Sequence, residues 1–291
     1  MHTEDSGMRC GVCFRHCDLA EKKTGICGVR TLKEGKIVPL SYGRITSMAL
    51  DPIEKKPLYH FMPGSMILSI GSYGCNLRCP FCQNFEISWS DEALSGRGAR
   101  QTTSQEIVTA ASRLRERGNI GVAYTYNEPL VAYEFVRDTA KLAHEAGMVN
   151  VMVTNGTATP EVLDELLPYI DAMNIDLKCF DARLYRKLMG GDLEMVKEFI
   201  SRAVQKCHVE ITNLVITGEN DTDEAMDLLA GWVAGLRDEA GNVIGKGIPL
   251  HVTRFFPKFR MIDRKATPVE TVYHLAEVAR KHLDHVYTGN C

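Results

Sequence analysis

Long apolar runs are missing from this sequence. No stretch reaches the roughly 18 consecutive apolar residues of a membrane span, and the opening Met1-His2-Thr3-Glu4-Asp5 lacks the basic end and apolar run of a secretory signal. Charge of one sign is not in excess either. Asp and Glu number 37 against 34 Lys and Arg, a formal net charge of −3, so no membrane partner and no clear nucleic-acid partner is expected. Internal repeats and low-complexity segments are absent too. What remains is an ordinary globular composition, 45% apolar over 291 residues, expected in the cytoplasm.

Cysteine, by contrast, is plentiful. Seven of the ten fall into two groups: Cys10, Cys13, Cys17 and Cys27, then Cys75, Cys79 and Cys82. In a reducing compartment such grouping favours metal ligation over disulfides. Cys179, Cys207 and Cys291 are scattered, and Cys179 and Cys207 suit buried small apolar positions.

The pattern divides the chain in two. Residues 1–62 form a small Cys-rich extension with short strands such as Lys36–Leu40. Its last part, Asp51–Phe61, carries two prolines and no clear period, and is expected as a loop packed on the larger C-terminal domain. Residues 63–291 alternate between strand and helix signals. Strands are expected at Met66–Ile70, Gly121–Thr125, Asn150–Val153, Ala172–Leu177, Val209–Val215 and Ile248–Val252. A helix over Ser104–Arg117 starts at a capping box, Thr103 with Glu106. Thr159-Pro160 and Thr267-Pro268 place a capping hydroxyl before proline at the start of two more helices. Six βα units in a row favour an α/β fold with a parallel sheet curled into a partial or full barrel. An open doubly wound sheet is the alternative.

The segment Gly74-Cys75-Asn76-Leu77-Arg78-Cys79-Pro80-Phe81-Cys82-Gln83-Asn84 has the spacing C-x3-C-x2-C and follows the first barrel strand. Three thiolates on a short loop can hold three irons of a cubane; iron–sulfur clusters normally use four. One iron is then left open to a small molecule. The alternatives are chance spacing or zinc, but zinc takes a fourth protein ligand and usually paired C-x2-C knuckles.

This motif resembles that of the radical S-adenosylmethionine (SAM) superfamily. The resemblance implies a partial (βα)6 TIM-like barrel and a [4Fe–4S] cluster on Cys75, Cys79 and Cys82. It also implies that SAM chelates the open iron through its amino and carboxylate groups. One-electron cleavage of its sulfonium bond then gives a 5′-deoxyadenosyl radical that takes a hydrogen atom from substrate. Phe81 corresponds to the aromatic packed beside the adenine, and Asn84 closes the motif as a further cofactor candidate.

Other segments are similar to the pyruvate formate-lyase activating enzyme branch, each near the C-terminal end of a strand, where barrel active sites form. Tyr124-Thr125-Tyr126-Asn127-Glu128-Pro129 stands in place of a Gly-Gly-Glu segment. Glu128 would accept from the SAM ammonium beside Tyr126, or merely cap the next helix. Thr154-Asn155-Gly156 resembles a segment near the SAM carboxylate. Asp176-Leu177-Lys178 resembles an Asp-x-Lys element for the ribose hydroxyls and carboxylate; strand alternation puts Asp176 and Lys178 on one side. His251 matches a family histidine near the cofactor.

The four early cysteines, Cys10-x2-Cys13-x3-Cys17-x9-Cys27, suit zinc, a second iron–sulfur cluster, or no metal at all. With the run Asp51-Pro52-Ile53-Glu54-Lys55-Lys56-Pro57-Leu58-Tyr59-His60-Phe61, they make nearly the whole chain resemble the "AmmeMemoRadiSam system" radical SAM proteins. That family often continues into a Cys-x2-Cys tail, which is expected to be missing after Tyr287-Thr288-Gly289-Asn290-Cys291. The resemblance implies a radical enzyme acting on a protein, peptide or small molecule, fed by a low-potential donor of flavodoxin or ferredoxin type. Lys55, Lys56, His60 and Arg254 are candidate substrate contacts. A glycyl-radical activase is one alternative, and a non-enzymatic electron-transfer or metal-binding protein is another.

Overall fold

The computed structural model describes residues 7–291; the opening Met1–Asp5 lies outside them. Eight strands make the main sheet: β1 (Ser47–Pro52), β2 (Met66–Gly71), β3 (Asn119–Tyr124), β4 (Val149–Thr154), β5 (Ala172–Asp176), β6 (His208–Val215), β7 (Leu250–Arg254) and β8 (Val286–Gly289). Their order across the sheet is their order along the chain. β1 is antiparallel to β2, and every later pair is parallel. A doubly wound sheet reverses its strand order at a switch point. A strictly sequential parallel order, with right-handed crossovers, instead curls the sheet towards a barrel. The partial (βα)6 barrel is therefore the fold, with β8 as an additional parallel strand.

The helices between the strands are α1 (Ser104–Arg113), α2 (Tyr133–Glu145), α3 (Pro160–Leu166), α4 (Leu193–Ala203), α5 (Asp223–Ala234) and α6 (Val269–Arg280). Odd residues of β5 such as Met173 and Ile175 join Val209, Ile211, Leu250 and Val252 in the apolar layer under the helices. The even residues point the other way, into the barrel, by the two-residue period of a strand. Helix α1 has the expected capping box, Glu106 N–H on Thr103 Oγ1 and Thr103 N–H on Glu106 Oε2. It stops at Arg113 rather than Arg117, and a 3₁₀ turn leads to the left-handed Gly118. Asn119 takes over the helix end: its amide donates to Ala111 O and accepts from Leu68 N–H.

The two threonine caps are corrected. Thr159 Oγ1 donates to Gly11 O and Thr267 Oγ1 to Val215 O, so neither hydroxyl caps its helix, and α6 starts after Pro268. Strand β7 begins two residues later than expected, after Pro249, which has no N–H for the ladder but accepts from Ile211 N–H.

The boundary at residue 62 is also corrected. Ser47–Pro52 is a strand of the barrel sheet, and Ile53–Lys55 is a 3₁₀ turn. The rest of Asp51–Phe61 does not lie on the barrel but enters it. Ile53 and Leu58 pack with Ile67, Ala123, Val151 and Ala172. Glu210, fully buried, accepts from His60 N–H and pairs with His208 and His251. Tyr59 and His60 reach β8, with His60 Nε2 2.6 Å from Tyr287 Oη. This segment floors the barrel and spans its open side. Residues 7–46 hold short hairpins, Arg30–Lys33 with Lys36–Pro39 among them.

Gly121 shows how tightly the strands fit. A Cβ there would stand 1.8 Å from Val149 O, so Gly121→Ala must push β3 from β4. We expect a loss of about 3 kcal/mol in chemical denaturation; unchanged stability would contradict the β3–β4 register.

Candidate active site

Strand β2 ends at Gly71, and the next residues form the cysteine loop. Gly74 has φ +87°, and an added Cβ would stand 2.8 Å from Cys27 O, so only glycine fits this approach of loop to extension. Cys75 N–H donates to Cys27 O and Cys82 N–H to Cys79 O. Arg78 N–H is held by Met189 O, and Pro80 O by Arg260 N–H. The buried Asn76 donates to Thr157 and accepts from Asn155 Nδ2, which also lies 3.7 Å from Cys75 Sγ.

Cys75, Cys79 and Cys82 line one wall of a cavity of about 310 Å³ at the C-terminal ends of the strands. Phe81, Asn84, Tyr126, Glu128 and Asn155 line it too. Asp176 and Lys178 line it as well. Ten expected site residues thus meet in one place. Thr154 supports from behind, its hydroxyl donating to Glu128 Oε1 at 2.7 Å.

Burial pushes the three thiols upward, Cys79 to about 12. They give up their protons only to a metal that binds thiolate. Three sulfurs, with no further Cys or His in the lining among the described residues, fit a soft, multi-iron group with one free corner. Burial also works against the charge on Lys178, but Asp176, 2.9 Å away, outweighs it and holds the ammonium charged. Lys178 Nζ lies 6.0 Å from the Phe81 ring centroid.

Glu128 does both things its sequence allows. It caps the 3₁₀ turn Pro129–Ala132, accepting from Leu130 N–H, and it accepts from Asn155 N–H at 2.8 Å. Burial still pushes the carboxyl up to about 7, against the hydrogen bonds from Thr154, Asn155 and Leu130. A bound cation would relieve that. A carboxyl raised from 4.5 to about 7 costs the folded state stability as pH rises through that range. The stability advantage of the wild-type chain over Glu128→Gln should therefore fall by about 3 kcal/mol between pH 4 and pH 8 in metal-free protein. A difference constant with pH would refute the buried acid.

Tyr126 adopts φ +73°, rare for an aromatic, which turns its hydroxyl onto Asp51 at 2.7 Å; Asn84 Nδ2 holds its carbonyl. Asp51 also pairs with Lys56 at 2.9 Å. Burial pushes this carboxyl up, but Lys56 and Tyr126 bring it down to about 2.

Five more expected residues lie outside the cavity lining. His251 sits one layer below, on Glu210 at 2.7 Å, and it is Thr253, two residues on, that reaches the cavity. Lys56 is buried against Asp51, and Lys55 is exposed beside the same carboxylate. His60 belongs to the barrel floor, and Arg254 donates to Thr267 O. Thr212, Thr253, Pro57 and Asn290 also line the cavity, and the sequence patterns assign none of them a role there. Thr212 and Thr253 are findable in hindsight as inward positions at the ends of β6 and β7. Cys179 is buried as expected; Cys207 is half-buried.

Known proteins share this architecture and this loop. Residues 69–230, more than half of the chain, match the radical SAM superfamily profile. An uncharacterized protein of Methanocaldococcus jannaschii is 40% identical over 291 residues, covering 99% of this chain and 82% of that relative. The pyruvate formate-lyase 1-activating enzyme of Escherichia coli K12 is 28% identical over 177 residues, 58% of this chain and 68% of its own. In fold, Streptococcus suis SuiB bound to S-adenosylmethionine aligns with TM-score 0.55 at 14% identity, over 77% of this chain and 52% of SuiB.

The chain belongs to the radical SAM superfamily. It is an enzyme of that class, related to the pyruvate formate-lyase activating enzymes, and the class carries a [4Fe–4S] cluster and SAM. A non-enzymatic metal carrier is thereby set aside. Among the described residues, no helix is long and apolar enough to cross a membrane.

Proposed function

We propose that Cys75, Cys79 and Cys82 hold the [4Fe–4S] cluster, and that the rest of the cavity holds SAM for hydrogen-atom abstraction from a protein, peptide or small molecule. When bound, cluster and SAM supply the one-electron cleavage that makes the 5′-deoxyadenosyl radical. The chain's own residues bind and orient. Glu128, buried and short of a cation, faces the SAM ammonium with Asn155 beside it. Lys178 faces the carboxylate and Asp176 the ribose hydroxyls, and Phe81 packs beside the adenine. Thr154 and Asn76 fix Glu128 and Asn155, while Tyr126 and Asn84 shape the mouth.

One observation carries this reading: three thiols, one carboxylate–ammonium pair and one buried acid, with no further Cys or His among the described residues, line a single cavity. Calorimetric titration of SAM into anaerobically reconstituted protein, followed by chromatography for 5′-deoxyadenosine after dithionite, tests it. Binding and product are expected; a reconstituted cluster that neither binds SAM nor yields product would sink it.

The reducing cytoplasm suits this cysteine-rich chain, with electrons from a flavodoxin- or ferredoxin-type donor. Four more thiols, at Cys10, Cys13, Cys17 and Cys27, add a second metal centre. Glycyl-radical activation is a second reading, favoured by the Escherichia coli relative. A protein-based radical signal on a co-purified partner would select it.

A further inference from the structure

The extension brings Cys10, Cys13, Cys17 and Cys27 around one small enclosed void. Cys10, Cys13 and Cys27 are buried and Cys17 is half-buried. The void is no larger than one water needs, so its volume does not decide between the two metals that four thiolates suit; the spacing of the sulfurs around it does. It has about 10 Å³ of room for the centre of a water-sized sphere, and such a sphere stands roughly 3 Å from the sulfurs it touches. Zinc would draw the four sulfurs to about 2.3 Å from one point and leave no such room. Among the described residues no three His, Cys, Asp or Glu side chains are placed to hold a single metal ion, and that includes these four. The thiols surround a space instead of closing on a point, as do Cys75, Cys79 and Cys82.

Charge calls for an anionic thiolate centre, whichever metal it holds. Arg15 and Arg30 line the void. The Arg30 side chain is only 6% exposed; its Nη1 donates to Glu134 at 2.7 Å, but its buried Nε has no partner among the described residues. A buried guanidinium N–H without an acceptor calls for an anion. A cluster on four thiolates is anionic and offers sulfur acceptors. Arg30 N–H already donates to Cys27 Sγ at 3.4 Å.

The void also adjoins the catalytic loop. Cys75 N–H donates to Cys27 O at 3.2 Å, so a ligand of one site touches a ligand of the other. Arg78 Nη2 donates to Ile26 O at 2.6 Å and Arg15 Nε to Asn76 O at 3.2 Å.

We propose that Cys10, Cys13, Cys17 and Cys27 hold a second [4Fe–4S] cluster that relays single electrons to the cluster on Cys75, Cys79 and Cys82. Four thiolates occupy all four of its irons, so it has no corner for SAM. A low-potential one-electron donor reduces it from the 2+ to the 1+ state. It returns to 2+ as the SAM-binding cluster goes from 2+ to 1+, and that electron enters the C5′–S bond. The relay rests on the proposed radical site; the existence of the second cluster does not.

Two measurements test this. The first uses Cys75→Ala/Cys79→Ala/Cys82→Ala, reconstituted without oxygen, with iron, sulfide and zinc analysis and electron paramagnetic resonance after dithionite. About four irons per chain are expected, with a spectrum that SAM does not alter. One zinc without iron, or no metal, would overturn the cluster whatever the fate of the SAM site. The second uses Cys10→Ser/Cys17→Ser. With reduced flavodoxin as donor, 5′-deoxyadenosine formation should fall at least tenfold. With titanium(III) citrate, a small reductant that reaches the SAM site directly, it should stay within twofold of wild type. Equal loss with both donors, or no loss with either, would overturn the relay.

Discussion

Cys79→Ala should lower 5′-deoxyadenosine formation by at least about a thousandfold and strip the iron bound at the cysteine loop, because two thiolates do not hold a cubane. Cys79 is the middle cysteine of the loop, 8% exposed and lining the cavity beside Lys178. Alanine is smaller than cysteine, and the loop is pinned by main-chain bonds from Cys75, Arg78 and Cys82 rather than by the Cys79 side chain. The fold should therefore survive. Chromatography for 5′-deoxyadenosine, iron analysis and circular dichroism give the full result: activity and loop iron gone, far-ultraviolet spectrum kept. Activity within tenfold of wild type would mean that the cluster sits elsewhere.

Asp176→Asn is expected to do two separable things. The Lys178 ammonium, 14% exposed, is kept charged by the carboxylate 2.9 Å away. Neutralising that partner strands the ammonium among buried groups. The cost should be about 2 kcal/mol, less than for a fully buried pair because Asp176 keeps 31% of its side-chain surface. SAM affinity should fall by about ten- to a hundredfold as a charge-assisted contact to the ribose is lost. The double variant Asp176→Asn/Lys178→Met removes the stranded charge, so its stability should recover while SAM binding stays weak. Urea denaturation and calorimetric titration read the two effects. Normal SAM affinity in both variants would remove this pair from the binding site.

The cysteine loop and its neighbours were legible because their chemistry is local. C-x3-C-x2-C, the Asp176–Lys178 pair and the Thr103–Glu106 box each act over a few residues, and alternation along β5 fixes which of them share a face. The sequential strand order followed from the repeated βα pattern. Depth inside the barrel was not legible. His251 and Thr253 point the same way from β7, and only the register with β6 shows that the first meets Glu210 while the second reaches the cavity. The run Asp51–Phe61 misled for a related reason. Its two prolines and lack of a period read as a loop packed on the outside of the larger domain, yet Lys56 is neutralised inside by Asp51, and Ile53 and Leu58 fill the barrel. Lys55, Lys56 and His60 were attractive as substrate contacts because they are charged or titratable; two of them are spent on the floor of the fold. The hydroxyls of Thr159 and Thr267 likewise serve distant carbonyls, Gly11 and Val215, that no local pattern could reveal.

The decisive measurement is electron–nuclear double resonance on anaerobic, dithionite-reduced protein mixed with SAM carrying ¹⁵N in its amino group. Attention falls on the paramagnetic component that Cys79→Ala removes. If three sulfurs leave one iron open to SAM, that component changes its g values on addition of SAM and shows a ¹⁵N coupling. A spectrum indifferent to SAM, or a reduced cluster whose fourth iron is held by a protein side chain, would contradict it.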